Sequence, residues 1–190
     1  MAFFIAVVPE GLQDNSELIR LFSKFKRTMD DKNKEVRWVQ PSLWHLTLQY
    51  LGPLENLKRQ ELIETFEAWV PPESSRDIVL RVHGVGAFPQ TDQARVLWLG
   101  IQKNQALLDA QVAVRESFKD FTENADDREY NPHITLARFR NMRDTSDLVQ
   151  LGGRKHFGDY KVAEFVLMES VLQGHMMKYV PAAHKVLGAE

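Results

Sequence analysis

The order of hydrophobic and polar positions divides the chain into alternating strand and helix segments. Short apolar or alternating runs bounded by Pro and Gly predict strands, and apolar residues recurring every three or four positions predict helices. The predicted strands span residues 3–8, 36–39, 45–51, 78–88, 95–101, 132–139, 162–172 and 176–180. The predicted helices span residues 12–29, 55–70, 105–121 and 144–151.

The two halves of this pattern have a similar outline. Each half contains strands, a long helix, a further strand and a second helix, and two more strands follow in the tail. No Gly/Ser-rich or Pro-rich linker separates the halves. We therefore expect residues 1–190 to form one domain of the α+β class, with two pseudo-symmetric lobes of mostly antiparallel sheet and flanking helices.

Composition and charge restrict the classes of function. The chain has 24 basic and 26 acidic residues, a net charge of −2, which argues against an extended electrostatic contact with duplex nucleic acid. A compact ligand or a strand end remains compatible with this balance. The sequence contains no cysteine, which excludes disulfides and thiolate metal sites.

The first residues are apolar, but the run is short and no basic segment precedes it, so it predicts a strand and not a signal peptide. No apolar run approaches the length of a membrane span. From these features we expect a cytoplasmic protein that does not associate with membranes.

The most informative motif is a repeated tetrapeptide of the form His-x-Thr-Leu. It begins at His45 and again at His133, 133 − 45 = 88 residues later. On a strand, Thr47 and Thr135 point to the same side as the histidines that precede them. One short motif is weak support, because most strand histidines are structural, but two copies in similar settings are much more specific.

Two histidine–threonine pairs fit in-line displacement at phosphorus. One imidazole can accept a proton from water while the other protonates the leaving oxygen, and the threonine hydroxyls can hold the non-bridging oxygens. No accompanying carboxylate cluster or His-Glu-x-x-His motif favours a metal site, and a serine nucleophile lacks its usual turn motif. We therefore expect catalysis that needs neither a metal nor a cofactor.

Two further candidates come five residues after each histidine. Arg138 can bind phosphate through its forked guanidinium, and Tyr50 holds the corresponding place in the first copy. On a regular strand a residue at +5 faces away from its histidine. Periodicity alone therefore does not place Tyr50 or Arg138 in the site: either the strand ends or bulges there, or these side chains reach round from an edge.

These segments resemble the two-histidine phosphoesterases, and most closely the LigT-like RNA 2′,3′-cyclic phosphodiesterases, also described as 2′-5′ RNA ligases. The resemblance extends over nearly the whole chain. Its segments are FFIAVVP from Phe3, VRWV from Val36, HLTLQYLG from His45, GAFP from Gly86, RVLWLG from Arg95, PHITLAR from Pro132 and LMES from Leu167.

The resemblance implies an active-site groove between two lobes. It implies that His45 is the general acid for the ribose O3′, that His133 is the general base for water, and that Thr47, Thr135 and Arg138 bind the phosphate. The product implied is a 2′-phosphomonoester. Nothing in the spacing of the motifs decides which histidine is the acid.

At the place of Tyr50 the family usually has a phenylalanine that stacks on the terminal base. A tyrosine ring can stack equally well. The tail 173–179 is longer and more apolar than the family pattern, and no site role is expected for it.

Several alternatives remain open from the sequence. The expected substrate is an RNA 3′ end carrying a 2′,3′-cyclic phosphate, but small cyclic nucleotides or reversible 2′-5′ RNA joining would use the same site. A nucleotide-end binding module with little turnover is a different class, although binding alone does not need two proton-transfer groups. A monomer is expected.

Overall fold

The computed structural model describes residues 2–29, 35–122, 129–173 and 176–187. Its strands are β1 (Ala2–Pro9), β2 (Val36–Trp38), β3 (Leu46–Pro53), β4 (Val79–Phe88), β5 (Ala94–Ile101), β6 (His133–Arg143), β7 (His156–Gln173) and β8 (Met176–Val186). Its α-helices are α1 (Ser16–Thr28), α2 (Asn56–Ala68), α3 (Gln105–Ser117) and α4 (Ser146–Gly152). None of the helices so described is long and apolar enough to cross a membrane.

Side-chain caps fix the start of two helices. The Asn15 side chain accepts a hydrogen bond from the Leu18 amide at 2.9 Å, and Asn104 accepts one from the Leu107 amide at 3.0 Å. An asparagine at this position satisfies one of the amides that a first helical turn leaves unpaired. Both caps lie at the boundaries of segments whose helical spacing is visible in the sequence.

All strand pairings are antiparallel, and the long strand β7 joins two lobes. Its first part pairs with β4 and continues the sheet of β5, β6 and β2, while its later part lies between β1 and β8. The first lobe is therefore built on β3, β1, β7 and β8, and the second on β7, β4, β5, β6 and β2. The two lobes meet again where β3 pairs with β6.

The helices do not stay with their own half of the sequence. Helix α1, from the first half, packs against α4, and Phe25 on α1 lies close to Gly152 beneath the second lobe. Helix α3, from the second half, packs against β3, and Phe118 at its end contacts Phe66 and Trp69 of the first lobe. Each half of the chain therefore contributes a helix to the other lobe.

The expected α+β class with two antiparallel lobes is confirmed. Several strand boundaries were predicted wrongly. Strands β6 and β8 end later than expected, at Arg143 and Val186, and β7 begins at His156 and not at residue 162. The additional residues of β7 are mostly polar and lack an apolar alternation, but they pair with β4, where Arg81 lies opposite Asp159 and bonds to it at 3.1 Å. This polar extension is the part of β7 that carries the chain from one lobe to the other.

Candidate active site between the two motifs

The two motifs meet through a single residue pair. Leu46 of β3 lies directly opposite Ile134 of β6, and both side chains are fully buried. Residues opposite each other in an antiparallel pair share a face, and their chain neighbours point to the other face. His45, Thr47, His133 and Thr135 therefore project together from the face opposite the buried pair, related by an approximate two-fold axis.

The ring of His45 is held by one hydrogen bond and two aromatic contacts. Its Nδ1 lies 2.8 Å from the carbonyl oxygen of Leu43. Phe4 stacks on the imidazole with ring centroids 4.9 Å apart, and Tyr179 approaches it edge-on at 5.2 Å. Trp44 is buried on the opposite side of the strand and donates its indole N–H to the carbonyl oxygen of Val39 at 3.1 Å.

The ring of His133 is held in a corresponding way. Its Nδ1 lies 2.7 Å from the carbonyl oxygen of Asn131, two residues earlier, as in the first motif. Phe88 contacts the imidazole edge-on at 5.0 Å, and the indole of Trp98 lies 6.2 Å away. A cavity of about 270 Å³ opens beside this histidine, between the ends of β4, β5 and β6.

These backbone contacts determine the tautomer of both rings. A carbonyl oxygen only accepts hydrogen bonds, so Nδ1 of His45 and of His133 carries the proton. In the neutral ring, Nε2 then keeps its lone pair and can accept a proton. The same nitrogen is the donor when the ring is protonated. Both histidines are therefore oriented for proton transfer through Nε2.

Burial makes both imidazoles weaker bases than usual. The pKa of His45 is lowered to about 4, mainly because burial removes water from the charged form; the hydrogen bond to Leu43 opposes this shift, and the charges of Arg138 and His133 add to it. The pKa of His133 is also lowered, again mainly by burial, with the bond to Asn131 opposing and the charge of Arg138 adding to the shift. The charge of Arg138 therefore acts on both rings in the same direction.

A β-bulge brings Tyr50 to the face of the first motif. In the pairing with β1, Ala6 lies opposite Thr47 and Ile5 opposite Gln49, so Leu48 has no partner. The extra residue reverses the alternation that follows it. Tyr50 consequently lies opposite Phe4, whose ring stacks on His45, and its side chain is 58% exposed.

A second bulge does the same for Arg138. Trp98 of β5 lies opposite Thr135 and Leu97 opposite Ala137, so Leu136 is the unpaired residue. Both Leu136 and Ala137 are buried, and Arg138 is exposed on the face of Thr135. Each +5 residue, which a regular strand would point away, is thus brought to the motif face by a one-residue bulge.

Sequence reasoning missed most of the aromatic residues that enclose the histidines. Trp98 is half-buried beside His133, and the sequence analysis did not single it out. Tyr179, in the tail for which no site role was expected, contacts the His45 ring. Phe4 and Phe88 lie within apolar strand segments, and only the strand register shows that they face the motifs.

The polar side chains around the two histidines indicate which kind of ligand they suit. Within the described ranges, no group of three or more His, Asp or Glu side chains is arranged so that it could hold a metal ion. The strand register places Thr47, Thr135 and Arg138 on the face from which the two imidazoles project. Such donors suit an anion with several oxygens, such as a phosphate.

Known sequence relatives match most of the chain. The family profile described as the 2′-5′ RNA ligase superfamily matches residues 15–172. An RNA 2′,3′-cyclic phosphodiesterase of Methanothermobacter thermautotrophicus is 28% identical over 178 residues, which cover 90% of this chain and 90% of the relative. Another, from Aquifex aeolicus, is 27% identical over 142 residues and covers 72% and 73% of the two chains.

Solved structures with the same fold superpose on nearly the whole chain. A protein of Thermus thermophilus superposes with a TM-score of 0.70 at 23% identity and covers 98% of each chain. E. coli LigT complexed with 3′-AMP superposes with a TM-score of 0.66 at 22% identity, covering 99% of this chain and 98% of LigT. Since the family profile covers most of the sequence, the chain belongs to the 2′-5′ RNA ligase superfamily, as its motifs suggested.

Proposed function

We propose that this protein hydrolyses the 2′,3′-cyclic phosphate ends of RNA to 2′-phosphomonoesters. The observation that carries the proposal is the pairing of Leu46 with Ile134, which directs both histidine–threonine pairs to one face. The curated relatives named above are RNA 2′,3′-cyclic phosphodiesterases, and this is the activity that we carry over to the chain.

In the proposed reaction a water molecule attacks phosphorus and the bond from phosphorus to O3′ breaks. His133 takes a proton from the attacking water through Nε2, and His45 gives a proton to the departing O3′ through its own Nε2. The products are a 3′-hydroxyl and a phosphomonoester on O2′. The low pKa of His45 makes its protonated ring a strong acid, and a bound anionic phosphate favours that protonated form.

The remaining residues have binding roles in this proposal. Thr47 and Thr135 donate hydrogen bonds to the non-bridging oxygens, and the Arg138 guanidinium neutralises the charge that grows on them. Tyr50 offers an exposed ring on which the terminal base can stack. No metal is part of this scheme, so activity is expected to persist in the presence of a chelator.

A single incubation tests the proposal. Purified protein is mixed with an RNA oligonucleotide ending in a 2′,3′-cyclic phosphate, with EDTA present, and the product phosphate is located by ³¹P NMR. A 2′-phosphate is expected from the parent, and the His133→Ala variant is expected to form it about 10²–10⁴-fold more slowly. A 3′-phosphate product, or complete loss of turnover with EDTA, contradicts the proposed chemistry. The exposed His156, which bonds to Asp159 at 2.8 Å, provides a control in His156→Ala.

The family description also favours a second candidate, joining of RNA ends through a 2′-5′ linkage. Replacing the attacking water by the 5′-hydroxyl of another strand uses the same acid and base. The candidate predicts a joined product when a complementary splint holds the two ends together. Hydrolysis alone under these conditions argues against it.

A further inference from the structure

A pair of arginines lies at one end of the motif face. Arg37 of β2 is directly opposite Arg138 of β6, and both side chains are exposed. Directly opposed residues share a face, so Arg37 points to the same side as Thr135 and Arg138. Neither the sequence motifs nor the mechanism proposed above gives Arg37 a role.

This pair lacks the partners that surface arginines usually have. Like charges directly opposite each other in a sheet are unfavourable. Among the described residues, neither Arg37 nor Arg138 forms an ion pair. The nearby carboxylate of Glu35 accepts hydrogen bonds from Asn141 at 2.9 Å and from Arg143 at 2.8 Å. The two guanidinium groups thus form a site that an anion would stabilise.

The two arginines lie side by side on the motif face. Arg138 is among the charges that lower the pKa of His45 and of His133, so its charge reaches both rings. Arg37 is on the neighbouring strand, about 5 Å to the side of Arg138 at the spacing of sheet strands. A phosphate bound between the histidines is therefore within reach of Arg138, while Arg37 is placed for a second anionic group.

We propose that Arg37 binds the phosphodiester that precedes the terminal nucleotide, so that the site distinguishes an RNA strand from a mononucleotide. The inference rests on the proposed function. A strand that ends in a cyclic phosphate has its other phosphates only on the 5′ side, so a second bound phosphate must be the one before the last nucleoside. Arg140, two residues beyond Arg138 on the same strand, adds a further positive charge at this end of the motif face.

Three substrates separate this role from a general effect of charge. They are a nucleoside 2′,3′-cyclic phosphate, a dinucleotide with the same cyclic end, and that dinucleotide with an uncharged methylphosphonate linkage. For the charged dinucleotide, Arg37→Gln is expected to lower kcat/KM about tenfold, mainly through KM, as for one lost charge-assisted hydrogen bond. For the other two substrates we expect less than about a twofold change, because the arginine has no anion to contact.

Matched variants complete the experiment. Arg37→Lys keeps the charge and is expected to retain part of the preference for the charged linkage. Arg20→Gln, on the exposed side of α1, makes the same charge change away from the site and is expected to alter none of the three values. Equal losses for all three substrates with Arg37→Gln, or no loss for the charged dinucleotide, overturn the inference.

A binding measurement separates this inference from the proposed function. Affinities for the same three compounds are measured with the His133→Ala variant, with and without Arg37→Gln. If the parent forms no product but Arg37→Gln weakens only the charged dinucleotide, the proposed activity fails and the inference about Arg37 stands. If the parent is active and the three affinities fall equally, the inference fails and the activity stands.

Discussion

The two motifs share a backbone scaffold but differ in their surroundings. In each, Nδ1 donates to the carbonyl oxygen two residues earlier, and a bulge brings the +5 residue to the motif face. The +5 residue is an aromatic ring, Tyr50, beside the first motif and a cation, Arg138, beside the second. His45 lies between two aromatic rings, whereas His133 borders an open cavity.

This difference shows how a repeated motif can serve an asymmetric reaction. Hydrolysis of a phosphodiester needs one group that gives a proton and one that takes it, and equal environments would give the two groups equal pKa values. The shared backbone orients both Nε2 atoms in the same way. The side chains around each ring then set how strongly it holds a proton, which is the property that has to differ.

The largest expected effect comes from removing either histidine. His45→Ala and His133→Ala are each expected to lower the single-turnover rate on a cyclic-phosphate RNA by about 10²–10⁴-fold, the usual contribution of general acid–base catalysis. The double variant is expected to be little worse than the poorer single variant, because the two rings act on one transition state. A single variant with the parental rate would show that only one motif takes part.

The second prediction concerns how the free energy of unfolding depends on pH, and it tests the burial of the His45 ring. The pKa of His45 is about 4 in the folded protein and near 6.5 in the unfolded chain. Between these values the unfolded chain binds the proton more readily, so stability is lost as the pH falls from 6.5 to 4. The loss attributable to His45 approaches about 3 kcal/mol at full effect.

Urea unfolding at pH 7 and pH 4 measures this loss, with His45→Gln as the comparison. The free energy of unfolding of the parent is expected to fall by about 3 kcal/mol more than that of the variant, because glutamine does not titrate in this range. Equal losses in both proteins contradict a strongly desolvated His45.

The same lowered pKa values predict that kcat/KM is greatest below pH 6.5, between the two histidine pKa values.

The third effect disturbs only the second motif. A Cβ atom at Gly86 would lie 2.2 Å from the Trp98 ring, which contacts His133. Gly86→Ala is therefore expected to displace this indole and to destabilise the fold by about 1–3 kcal/mol, as overpacking does. In NMR spectra, the ring signals of His133 should shift while those of His45 stay in place. Equal shifts at both histidines would show that the two surroundings are not independent.

Much of this arrangement could be predicted from the sequence because its signals are local. The helices around Phe22 and Phe66 follow from the spacing of apolar residues, and the motif strands follow from alternation and the turns that bound them. The wrong parity of Tyr50 and Arg138 for a regular strand was also visible, and a bulge was one of the explanations that it left open. The structure confirms both bulges.

The remaining features depend on contacts between distant segments. Nothing local indicates that Tyr179 pairs across β7 and reaches His45, or that Arg37 lies opposite Arg138. The exchange of α1 and α3 between the lobes is also invisible to periodicity, which shows that a helix has an apolar face but not which sheet covers it. Strand register and lobe assignment are decided by the whole fold.

The smallest expected effect tests the other half of the comparison, the aromatic +5 residue of the first motif. Tyr50 is exposed opposite Phe4, so its ring is free to stack on a terminal base. Tyr50→Ala is expected to raise KM about tenfold, because stacking of one base contributes about 1–3 kcal/mol. Tyr50→Phe keeps the ring and should change KM by less than about threefold, with any residual effect reporting the hydroxyl.

Measuring both variants on RNAs that end in a purine or a pyrimidine checks the stacking role of Tyr50, since stacking predicts a larger loss for purines. An equal loss with Tyr50→Phe and Tyr50→Ala would assign the contact to the hydroxyl, and the first motif would then recognise its ligand by a polar contact, as the second does through Arg138.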